Sequence, residues 1–206
     1  MAHDQTAGIP FRELVRRTDG VQPWRRVFHA ANGIIVVLAL ETLPVGHWTA
    51  LGILGAAFAV MALTDWVRLA NPQLNHLFFR TFPSLVSPRE ARKVASSTWY
   101  ALGVILALLL FPRQEALAGI LVLALADPAA GLVGRRWGRW PFGAGTLEGS
   151  AAFVVVAFVA ILPFAPWWAA MAAAVVAALV ERTPWSVDDN LLVPVTVAAV
   201  LYLAAL

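Results

Sequence analysis

Fourteen of the fifteen Lys and Arg residues fall between apolar runs in such a way that all can occupy one side of a membrane, and nearly all the acids fall there too. That partition limits the fold more than any motif does. At 60% hydrophobic and 13% charged residues the chain has too little polar surface to enclose a soluble core. The pattern predicts an all-α, polytopic membrane helix bundle. It divides into a cytoplasmic N-terminal tail over residues 1–23 and one membrane domain over residues 24–206.

Seven apolar runs carry the bundle: 27–43, 48–65, 95–111, 115–134, 150–163, 167–180 and 191–206. Most are shorter than the ~20 residues of an ordinary spanning helix, so thinned bilayer or snorkelling ends complete the reach. Between Gly149 and Val180 there is no charge, yet one helix of that length would overshoot a ~30 Å hydrocarbon core. Pro163 and Pro166 break it, Trp167 and Trp168 mark an interface, and the stretch reads as a hairpin. Seven short spans put the arginines before 27 and those between spans 2 and 3, 4 and 5, and 6 and 7 on one face. The positive-inside rule makes that face cytoplasmic, with the N-terminus inside and the C-terminus outside. In the tail, Phe11, Leu14 and Val15 permit a turn or two of interfacial helix beside Arg12, Arg16 and Arg17, or a frayed end. No cleavable signal peptide is expected, because the first apolar run begins only near Val27 and lacks a convincing cleavage site. Absence of cysteine excludes disulfides and thiolate metal sites. The basic balance belongs to the inner loops. It points to anionic lipid and phosphate as counter-charges rather than to nucleic acid, and a homodimer is compatible with such a chain.

Four segments carry chemistry. The first runs from Ala126 to Arg139. Asp127 sits inside an apolar span, where a charge costs ~2.5–3.5 kcal/mol on insertion scales and is functional by default. Pro128 removes a backbone donor beside it. Gly134 and Gly138 allow close backbone approach, and Arg135, Arg136 and Arg139 are suited to bidentate phosphate contacts. The second, Gly143 to Ser150, is a glycine-rich entry to a helix N-terminus, an arrangement able to hold an anion through free N–H groups or simply to cap the helix through Thr146 and Glu148. The third, Glu181 to Asn190, sets Asp188, Asp189 and Asn190 at the start of the last span, a donor set fit for a hard cation such as Mg2+. The fourth places Arg25, Arg26, His29, Asn32 and Gly33 at the entry of span 1, with Arg26, His29 and Gly33 on one helix face. Asp65 and Arg68 form an i, i+3 pair, Glu90 stands beside Arg92, and Lys93 is the chain's single lysine. Glu41 fits none of these groups.

Together the four segments resemble the family of CTP-dependent lipid-alcohol kinases, which includes dolichol kinase, phytol kinase and the yeast-type diacylglycerol kinase. Matching that family's motifs are Arg25, Arg26, His29 and Gly33; Asp127, Ala130, Gly134, Arg135 and Gly138; Thr146, Leu147, Glu148, Gly149 and Ser150; and Glu181, Asp189, Asn190, Leu191 and Pro194, in family order. Gly145 departs from the family's usual Lys, and Arg26 stands where Lys is common. The resemblance implies γ-phosphoryl transfer from CTP to the hydroxyl of a polyprenol, phytol, geranylgeraniol or diacylglycerol at the cytoplasmic face.

In that reading Asp127, Glu148, Asp188, Asp189 and Asn190 would hold Mg2+. Arg25, Arg26, Arg135, Arg136, Arg139 and Lys93 would bind phosphates together with Gly134, Gly138, Thr146, Gly149 and Ser150. Asp65, Arg68, Glu90 and Glu181 would support them, and Asp127 or His29 would take the alcohol's proton. Residue spacing does not separate CTP from ATP. A cytidylyltransferase forming a CDP-lipid is the enzymatic rival, and a small transporter is the rival of a different class.

Overall fold

The structure, a computed structural model, describes residues 9–19, 23–184 and 186–206. The remainder of the tail expectation, residues 1–8 and 20–22, lies outside the described residues. Helices α1 (Phe11–Arg17), α2 (Pro23–Thr42), α3 (His47–Ala70) and α4 (Pro72–Thr81) are followed by a 3-10 turn, Pro88–Ala91. Then come α5 (Ser96–Leu110), α6 (Arg113–Trp137), a two-residue hairpin of β1 (Pro141–Phe142) and β2 (Gly145–Thr146), α7 (Leu147–Ile161), α8 (Trp167–Arg182) and α9 (Asp189–Ala204).

Seven of these helices, α2, α3 and α5 to α9, coincide with the seven apolar runs. Two, α3 and α6, are long and apolar enough to cross a bilayer unaided. Helices α5 and α7, at 15 residues each, reach only about 22 Å. The break between α7 and α8 falls over Leu162 to Pro166, where the prolines foretold a hairpin.

Helix α6 is the axis of the bundle and packs on α7, α9, α2 and α5. Where lipid tails are as apolar as the core, helices associate through close packing rather than water exclusion, and small side chains permit it. On α8 the rows Ala169, Ala173, Ala177 and Ala170, Ala174, Ala178 are all buried. They repeat every four residues and so form two ridges of one face. Phe153, Leu117, Ile120 and Val193 are completely buried in the core beside them. The outer surface is apolar as well, with Trp48, Ile53, Val60 and Trp66 of α3 and Val155 and Val159 of α7 exposed. A bilayer, not water, suits such a surface.

Three short elements close one end of the bundle. Asn71 caps α4 by accepting from the amides of Gln73 and Leu74. Leu14 of α1 packs with Phe79 and Val86, so the apolar side of the tail helix is turned onto α4 and its following loop. Arg16 and Arg17 hold the exposed Glu13 carboxyl of α1 below the usual range. Glu41, unassigned by any motif, pairs with Arg113 at 3.5 Å across the opposite end.

Candidate active site

Three carboxylates from three helices converge. Asp127 of α6, Glu181 at the end of α8 and Asp189 at the start of α9 each offer an oxygen within 4.8 Å of the others. The sequence dictates each position by a different route. Asp127 precedes Pro128, which lies inside α6 and cannot donate to Ala124, yet the helix continues through it to Trp137. Glu181 ends α8 where Thr183 and Pro184 leave the helix. Asp189 opens α9 because Asp188 caps it, accepting from the Asn190 amide at 3.2 Å.

The surroundings are cationic on one side and donor-rich on the other. Arg26 donates through Nη1 to the Pro128 carbonyl at 2.9 Å, tying α2 to α6 beside Asp127. Gly131 makes room for this guanidinium, which a Cβ there would strike. Arg25 donates to Ser96 Oγ at 2.6 Å and pairs with Glu90 at 3.2 Å. Arg182 pairs with its neighbour Glu181. The charges of Arg25, Arg26 and Arg182 all act on Asp127. Asn190 is buried, and its amide nitrogen donates to Asp188 Oδ1 at 2.5 Å and to Asp189 Oδ1 at 3.3 Å. Among the described residues its Oδ1 is a buried acceptor with no hydrogen-bond partner. Three converging carboxylates with an orphaned amide oxygen beside them are the donor chemistry of a hard divalent cation.

The second segment wraps the same site. Gly143 takes φ 55° in the hairpin turn, where only glycine is unstrained, and the Ala144 amide donates to the Arg182 carbonyl at 3.1 Å. The Arg182 guanidinium fills the space over Gly145, so no side chain could stand at 145 without moving it. Arg182 was absent from the sequence-derived site. Its signal, an arginine next to a site acid, becomes informative only once the hairpin is folded against it.

The other expected residues are placed as follows. Gly134 and Gly138 lie against Thr146, so the close approach they allow is to the chain's own hairpin. Thr146 caps α7 by accepting from the Gly149 amide at 3.2 Å, and Ser150 donates to the Thr146 carbonyl at 3.2 Å. Glu148 stands outside the carboxylate cluster and accepts from the amides of Arg139 and Trp140 at 2.9 and 3.4 Å. Arg135 and Arg136 are exposed in the last turn of α6 and Arg139 just beyond it, with Arg136 over the Trp137 ring. Asp188 serves as the α9 cap beside the cluster.

His29 is buried on α2, edge-on to Tyr100 at 5.2 Å. Asp65, Arg68 and Glu90 form a separate buried knot that binds α3 and α4 to the loop before α5. Lys93 is exposed and contributes its carbonyl to that knot.

No family model matches the chain, and no solved structure matches it. It is similar to the protein named CTP-dependent diacylglycerol kinase 1 in three fungi. Identity to that of Saccharomyces cerevisiae is 32% over 115 residues, which is 56% of this chain and 39% of the yeast protein. For Schizosaccharomyces pombe it is 26% over 208 residues, 87% of this chain and 91% of the relative. For Eremothecium gossypii it is 32% over 115 residues, 56% of this chain and 36% of the relative. The chain thus spans about two-fifths of two of these relatives and nearly all of the third. The motifs and these matches agree: the chain is similar to CTP-dependent diacylglycerol kinases, at modest identity.

Proposed function

We propose that this chain is a membrane-embedded kinase that moves the γ-phosphoryl group of CTP to the hydroxyl of a lipid alcohol. The observation carrying this reading is the convergence of Asp127, Glu181 and Asp189 among Arg25, Arg26 and Arg182. Such transfer needs positioning and charge neutralisation more than covalent chemistry. CTP comes from the names of the relatives. Diacylglycerol, also in those names, is one of several acceptors that share a single hydroxyl on an apolar body. The seven apolar helices cross the bilayer, and the positive-inside rule turns the acid cluster to the cytoplasm.

Asp127, Glu181 and Asp189, with Asn190 Oδ1, would hold a divalent cation of the Mg2+ type, which when bound neutralises charge on the phosphates. Arg25, Arg26 and Arg182 bind and orient the triphosphate around them. The acceptor oxygen forms a bond to the γ-phosphorus as the bond from that phosphorus to the bridging oxygen breaks. CDP leaves, and the hydroxyl proton passes to Asp127 or His29. The apolar bundle keeps bulk water from competing as acceptor.

The test uses purified protein in phosphatidylcholine vesicles with γ-labelled CTP or ATP and diacylglycerol, phytol or a polyprenol. Label should enter a lipid monophosphate, with CDP as co-product. Asp127→Asn should lower the rate at least ~100-fold, the loss typical of removing one group that stabilises transition-state charge, with unchanged membrane insertion. Normal turnover by that variant would overturn the assignment. Release of pyrophosphate with a CDP-lipid would establish the cytidylyltransferase instead.

A further inference from the structure

Helices α2 and α3 are joined by only four residues, yet α3 leans on α5 and α4 and leaves a gap on the α2 side. The gap is a cavity of about 180 Å³ between α2, α3 and α5. Its wall is apolar along most of its length, from Val36, Leu54, Met61, Ala101 and Val104. Polar groups meet at one end: His29 and Asn32 from α2, Ser97 and Tyr100 from α5. The three helices run through it in step. His29 to Val36, Met61 to Leu54 and Ser97 to Val104 each span seven residues, so the slot descends about 10 Å from a polar mouth into hydrocarbon.

The mouth has unspent hydrogen-bonding capacity. His29 is 8% exposed, and among the described residues neither ring nitrogen has a partner; only its carbonyl is engaged, by the Tyr100 hydroxyl at 3.3 Å. Asn32 and Ser97 also lack side-chain partners among the described residues. His29 is buried and Asn32 and Ser97 are half-buried, so a ligand hydroxyl placed among them would find both donors and acceptors. The mouth adjoins the acid cluster, because Arg26, one turn before His29, reaches the Pro128 carbonyl next to Asp127. Asp188 acts electrostatically on His29, and Asp127 on Tyr100.

The geometry points to this cavity as the acceptor site: the hydrocarbon tail of a lipid alcohol enters between α2, α3 and α5, and its hydroxyl rests among His29, Asn32 and Ser97. The assignment deepens the kinase reading and rests on it for the fate of that hydroxyl. A water-soluble alcohol would leave the apolar depth empty. An alkane tail without a hydroxyl would leave the mouth unsatisfied.

The test is photolabelling of the full chain in phosphatidylcholine vesicles with diacylglycerol and phytol that carry a diazirine on the tail. Label should concentrate on α2, α3 and α5 at the depth of Val36, Leu54 and Val104, and untagged alcohol should compete it away. Ala101→Phe, which fills the slot, should reduce specific labelling about tenfold. The milder Ala57→Leu should reduce it less and serves if the Phe variant does not fold. In turnover the same variants should raise the KM for the alcohol and leave the KM for CTP unchanged. Label spread evenly over lipid-facing residues, or undiminished in the folded variants, would overturn the assignment. Because labelling needs no nucleotide, competed label without any phosphoryl transfer would sink the kinase reading and leave the cavity standing. Lipid phosphorylation with label elsewhere would do the reverse.

Discussion

Replacing Asp65 with Ala should cost this fold several kcal/mol, for reasons that can be counted. Asp65 and Arg68 are 3% and 2% exposed. Arg68 donates to Asp65 Oδ1 at 2.6 Å, Asn75 Oδ1 at 3.1 Å, and the carbonyls of Glu90 and Lys93 at 2.7 Å each. The other carboxylate oxygen accepts from the Ala95 amide at 2.9 Å and the Thr98 hydroxyl at 2.6 Å. Removing the carboxylate leaves a buried guanidinium without counter-charge, a loss of about 3–5 kcal/mol, and orphans two donors. The three remaining acceptors still hold Arg68 in place, which argues for that range and nothing larger. For a chain of this size, at 2–4 °C per kcal/mol, the melting temperature should fall by roughly 6–20 °C. Tryptophan fluorescence in detergent micelles would follow it. Thr98→Val, which removes one hydrogen bond, should cost about 1 kcal/mol. Because Glu90 of the same knot pairs with Arg25, Asp65→Ala should also weaken CTP binding. A melting temperature within 2 °C of the unaltered protein would refute this account of how α3 and α4 are held.

Two further substitutions probe the cationic side of the site. Gly131→Ala puts a methyl group where the Arg26 guanidinium lies. By displacing a charge-assisted contact it should raise the KM for CTP about tenfold at little cost in stability, and an unchanged KM would show that Arg26 does not touch the nucleotide. Gly145→Lys should collide with Arg182 and weaken CTP binding by about tenfold or more. Adding Arg182→Ala to that variant should restore binding, since the lysine then takes the vacated space; a double variant no better than the single would refute the exchange.

The parts of the molecule written locally were readable in the sequence. Seven apolar runs became seven helices because their prolines, glycines and charges mark each end. Asp127 stood out because a charge in an apolar run has no ordinary explanation. Asp65 and Arg68 could be paired from their spacing, but the carbonyls of Glu90 and Lys93 that bury the pair lie across a folded loop. The membership of Glu181 in the cluster was hidden for a similar reason. It is separated from Asp127 by the hairpin, α7 and nearly all of α8, and the packing of α8 on α7 and α9, both docked on α6, brings the two together. Glu148 looked equally suited to a metal, and in the fold its carboxylate is spent on the amides of Arg139 and Trp140. Nothing within either segment distinguishes the two acids. Glu41 and Arg113 meet only because α2 and α6 are antiparallel neighbours.

Only 11% of the apolar stretch of α3 is buried, and the helix is tied down chiefly at the Asp65 end. If the cavity beside it holds the lipid alcohol as proposed, a wall so lightly attached would admit that alcohol from the bilayer side rather than from water. An alcohol taking that route would never leave the membrane, and the concentration governing its capture would be two-dimensional. Diluting the alcohol with inert phospholipid at constant bulk amount should slow the enzyme, whereas diluting the whole suspension with buffer should not.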